Sequence, residues 1–216
     1  ADSQNARVVK INSDGDILRT VGRSGSDEGE FSSTVVSITQ DSEGYLYVLD
    51  YCKVYKLDFN GGFIQSWGSC GGDLEQISDA KSIHYSEHGD MLIITDSVHH
   101  RIVKFDTDGT FLGAFGSEGT GDGQFKFPHG LTTDTDGNIY VVDTDDHRVQ
   151  VFQEDGTFIR KFGNNDPGDY QFIYPKDVEV LSNGDIVVTS QNTPLIKKFT
   201  SSGVFISQWG ENGTEA

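Results

Sequence analysis

Lys81, His129 and Lys176 hold one position of a repeat that returns roughly every 46 to 48 residues, and Asp177 follows the last of them. Two ammonium groups and an imidazole gathered in so acidic a chain can hold a carboxylate or phosphate, since charge-assisted hydrogen bonds to anions are strong when partly desolvated. The competing reading pairs each lysine with a neighbouring acid such as Asp177. His99, His100 and His147 form a second set. Imidazole is a common metal ligand, so three on one face can bind zinc, although most surface histidines bind nothing. A third set is Asp96 with Arg101 and Asp143 with Arg148, carboxylates at equal spacing from guanidinium groups whose planar fork suits them. Their recurrence assigns them to architecture, because a catalytic pair is needed once and not once per repeat. Asp106 to Gly109 and Asp134 to Gly137 both read DTDG, the opening of a calcium loop, but no bidentate Glu follows at the required distance and a hairpin turn explains both.

The elements that must carry these residues are clearest between Gly123 and Gly163. Four apolar runs, Leu131 to Thr133, Ile139 to Val142, Val149 to Phe152 and Phe158 to Phe162, are separated by turn residues. Asp136-Gly137-Asn138 and Asp155-Gly156 accept the positive φ of tight antiparallel turns, so the unit reads as a four-stranded meander. Ile139 to Val142 is apolar without a break, as a strand buried on both faces is, and burial falls toward the outer strands as in a propeller blade. An aromatic or aliphatic residue followed by Gly closes each unit at Val21-Gly22, Trp67-Gly68, Phe115-Gly116, Phe162-Gly163 and Trp209-Gly210. That spacing lies in the span of propeller and solenoid repeats. The predicted fold class is all-β: a β-propeller of four-stranded antiparallel blades, four complete and one half-present, in a ring of five or an incomplete ring of six.

These residues resemble a known family. F-x-F-P-H-G, then D-x-D-G-N-I-Y-V-V-D, D-H-R-V-x-V-F and D-G-x-F-x-x-x-F-G are similar to the NHL repeat, the unit of NHL β-propellers. The match is strong over 123–163, good over 73–116, and weaker over 29–68 and 168–210. The resemblance implies that Val36, Lys81, His129 and Lys176 face the central channel, with Ser37, Ser82, Gly130 and Asp177 beside them. A fainter local resemblance is to the propeller of peptidylglycine amidating lyase, which holds zinc with histidines often written Pro-His. Pro128-His129 has that form, and Tyr51-Cys52 with Ser66-Trp67-Gly68 resembles another of its signatures. Val36, Lys81 and Lys176 stand at the corresponding positions, so His129 remains alone where a catalytic zinc needs about three protein ligands.

Cys52 begins a third strand and Cys70 lies just beyond the fourth of the same repeat. With Asn60-Gly61 as the turn, Cys52 falls across from Ser69, which puts the two sulfurs within bridging reach. Such a pair favours an oxidising compartment, secreted or extracellular, over two free cytosolic thiols. Asn212-Gly213-Thr214 is an N-glycosylation sequon.

Composition narrows the partners. The net charge of −18, from 34 acidic and 16 basic residues, disfavours nucleic acid, whose binding rests on Lys and Arg neutralising phosphate. No apolar run approaches a membrane span, and the first residues carry neither an initiator Met nor a signal sequence. One domain is expected, with an outer half blade over 1–26 and complete blades over 27–70, 71–118, 119–165 and 166–212. Asp2, Asn5 and Arg7 repeat the spacing of Asp143, Asp146 and Arg148, so the half blade begins at the end of a second strand. Its open edge invites another strand, and the chain is expected to be a fragment of a longer protein or to be covered by a second chain.

Nucleophile elbows, phosphate-binding Gly-rich loops and paired catalytic carboxylates are not apparent. The expected function is a non-catalytic binding or assembly scaffold that engages a protein, peptide or small anionic ligand at its loop face and channel mouth, through Lys81, His129, Lys176 and Asp177. No cofactor is predicted, with structural calcium or zinc left open. The alternatives are a metal-dependent lyase or hydrolase with His129 as first ligand, and a structural subunit or homo-oligomer joined through blade edges.

Overall fold

The computed structural model describes residues 1–25, 27, 29–31, 34–191 and 196–210. The Asn212 sequon lies outside the described residues. After a single 3-10 turn, Ser3–Asn5, the half blade consists of β1 (Val8–Ile11) and β2 (Ile17–Val21). Four complete blades follow. The first contains β3 (Ser37–Gln40), β4 (Leu46–Leu49), β5 (Val54–Leu57) and β6 (Phe63–Trp67). The second contains β7 (Ala80–Ser86), β8 (Met91–Asp96), β9 (Arg101–Asp106) and β10 (Phe111–Phe115). A short parallel pair, β11 (Ser117–Glu118) and β12 (Gln124–Phe125), leads into β13 (Pro128–Thr133), β14 (Ile139–Asp143), β15 (Arg148–Phe152) and β16 (Phe158–Phe162). The last blade is β17 (Pro175–Val180), β18 (Ile186–Ser190), β19 (Ile196–Phe199) and β20 (Phe205–Trp209). Each complete blade is a meander in sequence order, and the fold is an all-β propeller.

The chain divides into two compact units, Ala1–Asp96 with Val103–Gly113, and Ser97–Ile102 with Ala114–Ala216. In the first, Val35, Val48, Tyr55 and Leu57 form a core with Phe31. In the second, Tyr140, Val142, Val149, Val151, Val178, Ile186 and Val188 do so with Phe162, Phe172 and Phe199.

Local chemistry explains the meanders. Asp41, Asp58, Asp106 and Asp134 each turn one carboxylate oxygen back to accept two backbone N–H groups of the following hairpin, for Asp134 from Asp136 and Asn138 at 3.0 and 2.9 Å. The DTDG sequences therefore act as aspartate-anchored turns. The other oxygen of Asp134 accepts from the Tyr140 hydroxyl at 3.1 Å, as that of Asp41 does from Tyr47 at 2.8 Å.

Joints between blades recur as well. The residue that closes one blade lies on the glycine of the next blade's outer hairpin: Val21 on Gly61, Trp67 on Gly109, Phe115 on Gly156 and Phe162 on Gly203. A Cβ at any of these glycines would come within 2.3 to 3.0 Å of the closing side chain. The glycine after the closing residue takes positive φ and receives a buried ring from the next lead-in, Phe125 over Gly116 and Phe172 over Gly163. Cys52 and Cys70 form a disulfide, with Cα atoms 5.1 Å apart.

Candidate functional site

The innermost strands do not pair evenly with their neighbours. Register shifts fall between Ala80 and Ile83 on β7, between Pro128 and Leu131 on β13, and between Pro175 and Asp177 on β17. The residues at these irregularities are Lys81, His129 and Lys176, with Ser82 and Gly130. A bulge takes a residue out of the ladder and re-aims its side chain. No shift occurs in the β3–β4 register, where the corresponding residue is the apolar Val36.

In the second unit, the chain just before each bulge is pinned from both sides. Phe127 and Tyr174, the residues preceding Pro128 and Pro175, take φ of 61° and 49°. Their N–H groups donate to Nδ1 of His100 and His147, both at 3.3 Å. The Thr144 hydroxyl donates to the Pro175 carbonyl at 2.8 Å, and Ser97 donates likewise to Pro128. Lys126 N–H donates to Asp143 at 2.6 Å. Two of the three histidines considered as metal ligands thus spend a ring nitrogen on the backbone that carries the bulge. Among the described residues, no three His, Cys, Asp or Glu side chains are grouped to hold a metal ion.

Beneath the bulges lies the Asp143–Arg148 pair, buried and joined through Nε at 2.8 Å. Arg148 also donates to the carbonyls of Thr120, Gly121 and Gln124, so it fastens the whole lead-in loop. Gln150, fully buried, accepts from Gly123 N–H and donates to the Gln124 carbonyl. Burial pushes the Asp143 carboxyl up to about 6, against the downward pull of the Lys126 N–H and Arg148. Asp2 and Arg7 repeat the pair at 2.6 Å in the half blade, as their spacing predicts.

The site residues themselves follow. β13 and β17 come so close at Gly130 that a Cβ there would stand 2.3 Å from Asp177 Oδ1 and 2.6 Å from the Lys176 carbonyl. His129, Lys176 and Asp177 are therefore carried on two adjoining strands of one unit. His129 and Lys176 are half-buried and Asp177 is exposed. Farther along the same strands Glu179 hydrogen-bonds to Thr132. Burial raises both Asp177 and Glu179 above the usual carboxylate range. Desolvation by the surrounding strands disfavours the charged form of both carboxyls.

Lys81 belongs to the other unit and is ion-paired with Asp79 at 2.5 Å. Asp79 precedes Ala80 with φ of 54°, the place of Phe127 and Tyr174, and sequence reasoning did not single it out. Three residues beyond Lys81 stands His84, whose imidazole burial pushes down to about 4. Its one sequence signal is a ring in the innermost strand of a blade whose neighbours carry Thr39 and Thr132 there.

Residues 125–152 match the NHL repeat family model. Among solved structures the fold is shared with virginiamycin B lyase from Staphylococcus aureus, at TM-score 0.63 and 16% identity over 83% of this chain and 56% of that one. A catalytically inactive form of that lyase solved with quinupristin gives TM-score 0.62 and 15% identity over the same shares. A Bacteroides caccae protein of unknown function gives TM-score 0.72 and 14% identity over 94% of this chain and 74% of that one. The chain spans about half the length of the lyases it matches. No curated protein matches it in sequence.

Proposed function

We propose that this chain is a non-catalytic binding scaffold, and that the bulged lead-ins of its innermost strands engage a protein or peptide. One observation supports the reading: the ladder irregularities of β13 and β17 coincide with His129, Gly130 and Lys176, residues that the resemblance to the NHL repeat implies stand at the channel mouth. Rigid strands fastened by Arg148 and Thr144 present them, which limits the ordering cost of binding. An ammonium and an imidazole beside Asp177 and Glu179 offer both signs of charge, as a peptide backbone with mixed side chains requires. A small anion is less well served, since Lys81 is held by Asp79 and the neighbouring carboxylates repel it. The disulfide accords with an oxidising compartment, and a secreted location fits the same reading. No helix among the described residues is long and apolar enough to cross a membrane.

The experiment is a display selection of random peptides against the immobilised chain, counter-selected on the His129→Ala/Lys176→Ala double variant. Enrichment of peptides specific to the unsubstituted chain is expected. Peptides that survive only without counter-selection would place binding elsewhere. A second reading, a lyase, is favoured by the shared fold with virginiamycin B lyase. Incubation with quinupristin, followed by mass spectrometry, separates the two: a converted product would overturn the non-catalytic reading.

A further inference from the structure

The lead-in loops that follow Trp67-Gly68 and Phe162-Gly163 are equal in length, so their positions correspond one by one, and Glu75 stands where the last blade has Tyr170. The Tyr170 ring packs 6.2 Å from that of the buried Phe199, and its hydroxyl accepts from Phe205 N–H at 3.4 Å. Lys197, two residues before Phe199, brings an ammonium to the same loop and donates to the carbonyls of Gly168 and Asp169, both at 3.1 Å. A phenol ring and an ammonium thus complete the joint of the last blade.

The second blade has neither group. Glu75 replaces the phenol, and apolar Val103 stands two residues before Phe105. A cavity of about 310 Å³ lies there instead, lined by Trp67, Phe105, Gly109 and the lead-in residues Asp73, Glu75 and Gln76. All of these belong to the first compact unit. No Lys, Arg or His is among the described residues that line it, and Asp73 and Glu75 are exposed. Trp67 supplies an aromatic wall held by packing: its ring rests on Gly109 and meets Tyr47 edge-on at 6.2 Å, and its buried Nε1 has no hydrogen-bond partner among the described residues. The loop is ordered in advance. Gln76 accepts from Asp73 N–H at 3.0 Å and donates to Ser69 Oγ at 3.3 Å, and the Cys52–Cys70 disulfide ties the loop to the residues before β5.

We propose that this cavity binds an organic cation whose ammonium group is carried by an aromatic ring, as in an arylalkylamine. The ring takes the place that Tyr170 has in the last blade, beside Trp67 and Phe105, and the ammonium meets the carboxylates of Asp73 and Glu75. Charge-assisted hydrogen bonds to carboxylates and a cation beside an indole both favour such a ligand. An uncharged ring gains nothing from the carboxylates, and an anion is repelled. A loop already fixed by Gln76 and the disulfide limits the ordering cost of binding. The site shares no residue with the bulged lead-ins at His129 and Lys176, so it stands apart from the peptide-binding reading.

Tyramine, a phenol joined by a short chain to an ammonium, is the probe. The readout is the indole N–H resonance of Trp67 in the isotope-labelled chain, assigned with Trp209→Phe. Salt at about 0.15 M screens long-range attraction to the acidic chain. Tyramine should shift the Trp67 resonance with a Kd on the order of 0.1–1 mM and leave that of Trp209 unmoved. Tyrosol, with a hydroxyl in place of the ammonium, should bind at least about tenfold more weakly. Tyrosyl-glycine amide carries the same ring and ammonium, and its affinity relative to tyramine separates a chain N-terminus from a free amine as the source. Glu75→Tyr transplants the residue of the last blade: it should abolish the shift and raise the melting temperature, because it fills the cavity. Asp73→Asn/Glu75→Gln keeps both shapes and should weaken tyramine at least about tenfold at an unchanged melting temperature, which serves if Glu75→Tyr fails to fold. No shift at about 10 mM tyramine overturns the proposal, as does equal binding of tyrosol, or tyramine binding that survives in folded Glu75→Tyr or in the Asn/Gln variant.

Discussion

His84 ties the stability of the chain to pH in a way that can be worked from its surroundings. Its imidazole lies on the innermost strand β7, where burial lowers its pKa from 6.5 to about 4. The unfolded chain, with an ordinary imidazole, binds a proton near pH 6.5, and the folded chain resists it until about pH 4. The contribution is therefore complete above pH 6.5 and is lost as the pH falls through the window to about 4. At ~1.4 kcal/mol per unit the fall corresponds to about 3 kcal/mol, and partial solvent access reduces it to about 1–2 kcal/mol. Many carboxylates titrate over the same range, so the readout is a difference. Urea unfolding of the parent and of His84→Gln is followed at pH 7.5, 6, 5 and 4. The stability of the parent relative to the variant should drop by about 1–2 kcal/mol between pH 7.5 and 4. A relative stability that does not change with pH would refute a desolvated neutral imidazole at this position.

Other perturbations address the framework. Arg148→Ala leaves Asp143 buried without its guanidinium and removes the donors that fasten the carbonyls of Thr120, Gly121 and Gln124 to it, and should cost about 3–5 kcal/mol in denaturant unfolding. Gly163→Ala asks a Cβ to stand 2.3 Å from the Phe172 ring at φ of 93°, so a loss of about 2–4 kcal/mol is expected, against about 1 kcal/mol for Gly168→Ala, which meets no atom and carries only the strain of φ of 140°. Reduction of Cys52–Cys70, whose partners are 18 residues apart, should cost about 3 kcal/mol on the loop-entropy account, and labelling of the unreduced protein should find no free thiol.

Much of the framework is legible in the sequence because it rests on local chemistry repeated in register. Asp-x-Asp-Gly turns, unbroken β-branched second strands and closing aromatics each encode one blade, and five copies remove the ambiguity of any one. The Asp143–Arg148 and Asp2–Arg7 pairs were readable from spacing alone. The bulges at His129 and Lys176 were not, since no residue type marks the point where a ladder slips; only two adjacent backbones decide it. The role of His100 and His147 was hidden for another reason. Imidazole can donate, accept or ligate, and its acceptance from Phe127 and Tyr174 depends on the positive φ of residues 27 positions downstream. Their recurrence beside Arg101 and Arg148 was the available clue, and Ala6 at the same place in the half blade, also at positive φ, shows that backbone geometry comes first. Asp79 was missed because its pairing with Lys81 joins a turn residue to a strand residue across a bulge.

The proposed function requires that the bulged lead-ins at His129, Lys176 and Asp177 bind a protein or peptide. The most direct measurement is the affinity of one selected peptide for the parent chain and for His129→Ala/Lys176→Ala, by calorimetric titration, with melting temperatures matched. Loss of two half-buried polar contacts predicts at least about a tenfold weaker affinity in the double variant. Equal affinity at equal stability would contradict it.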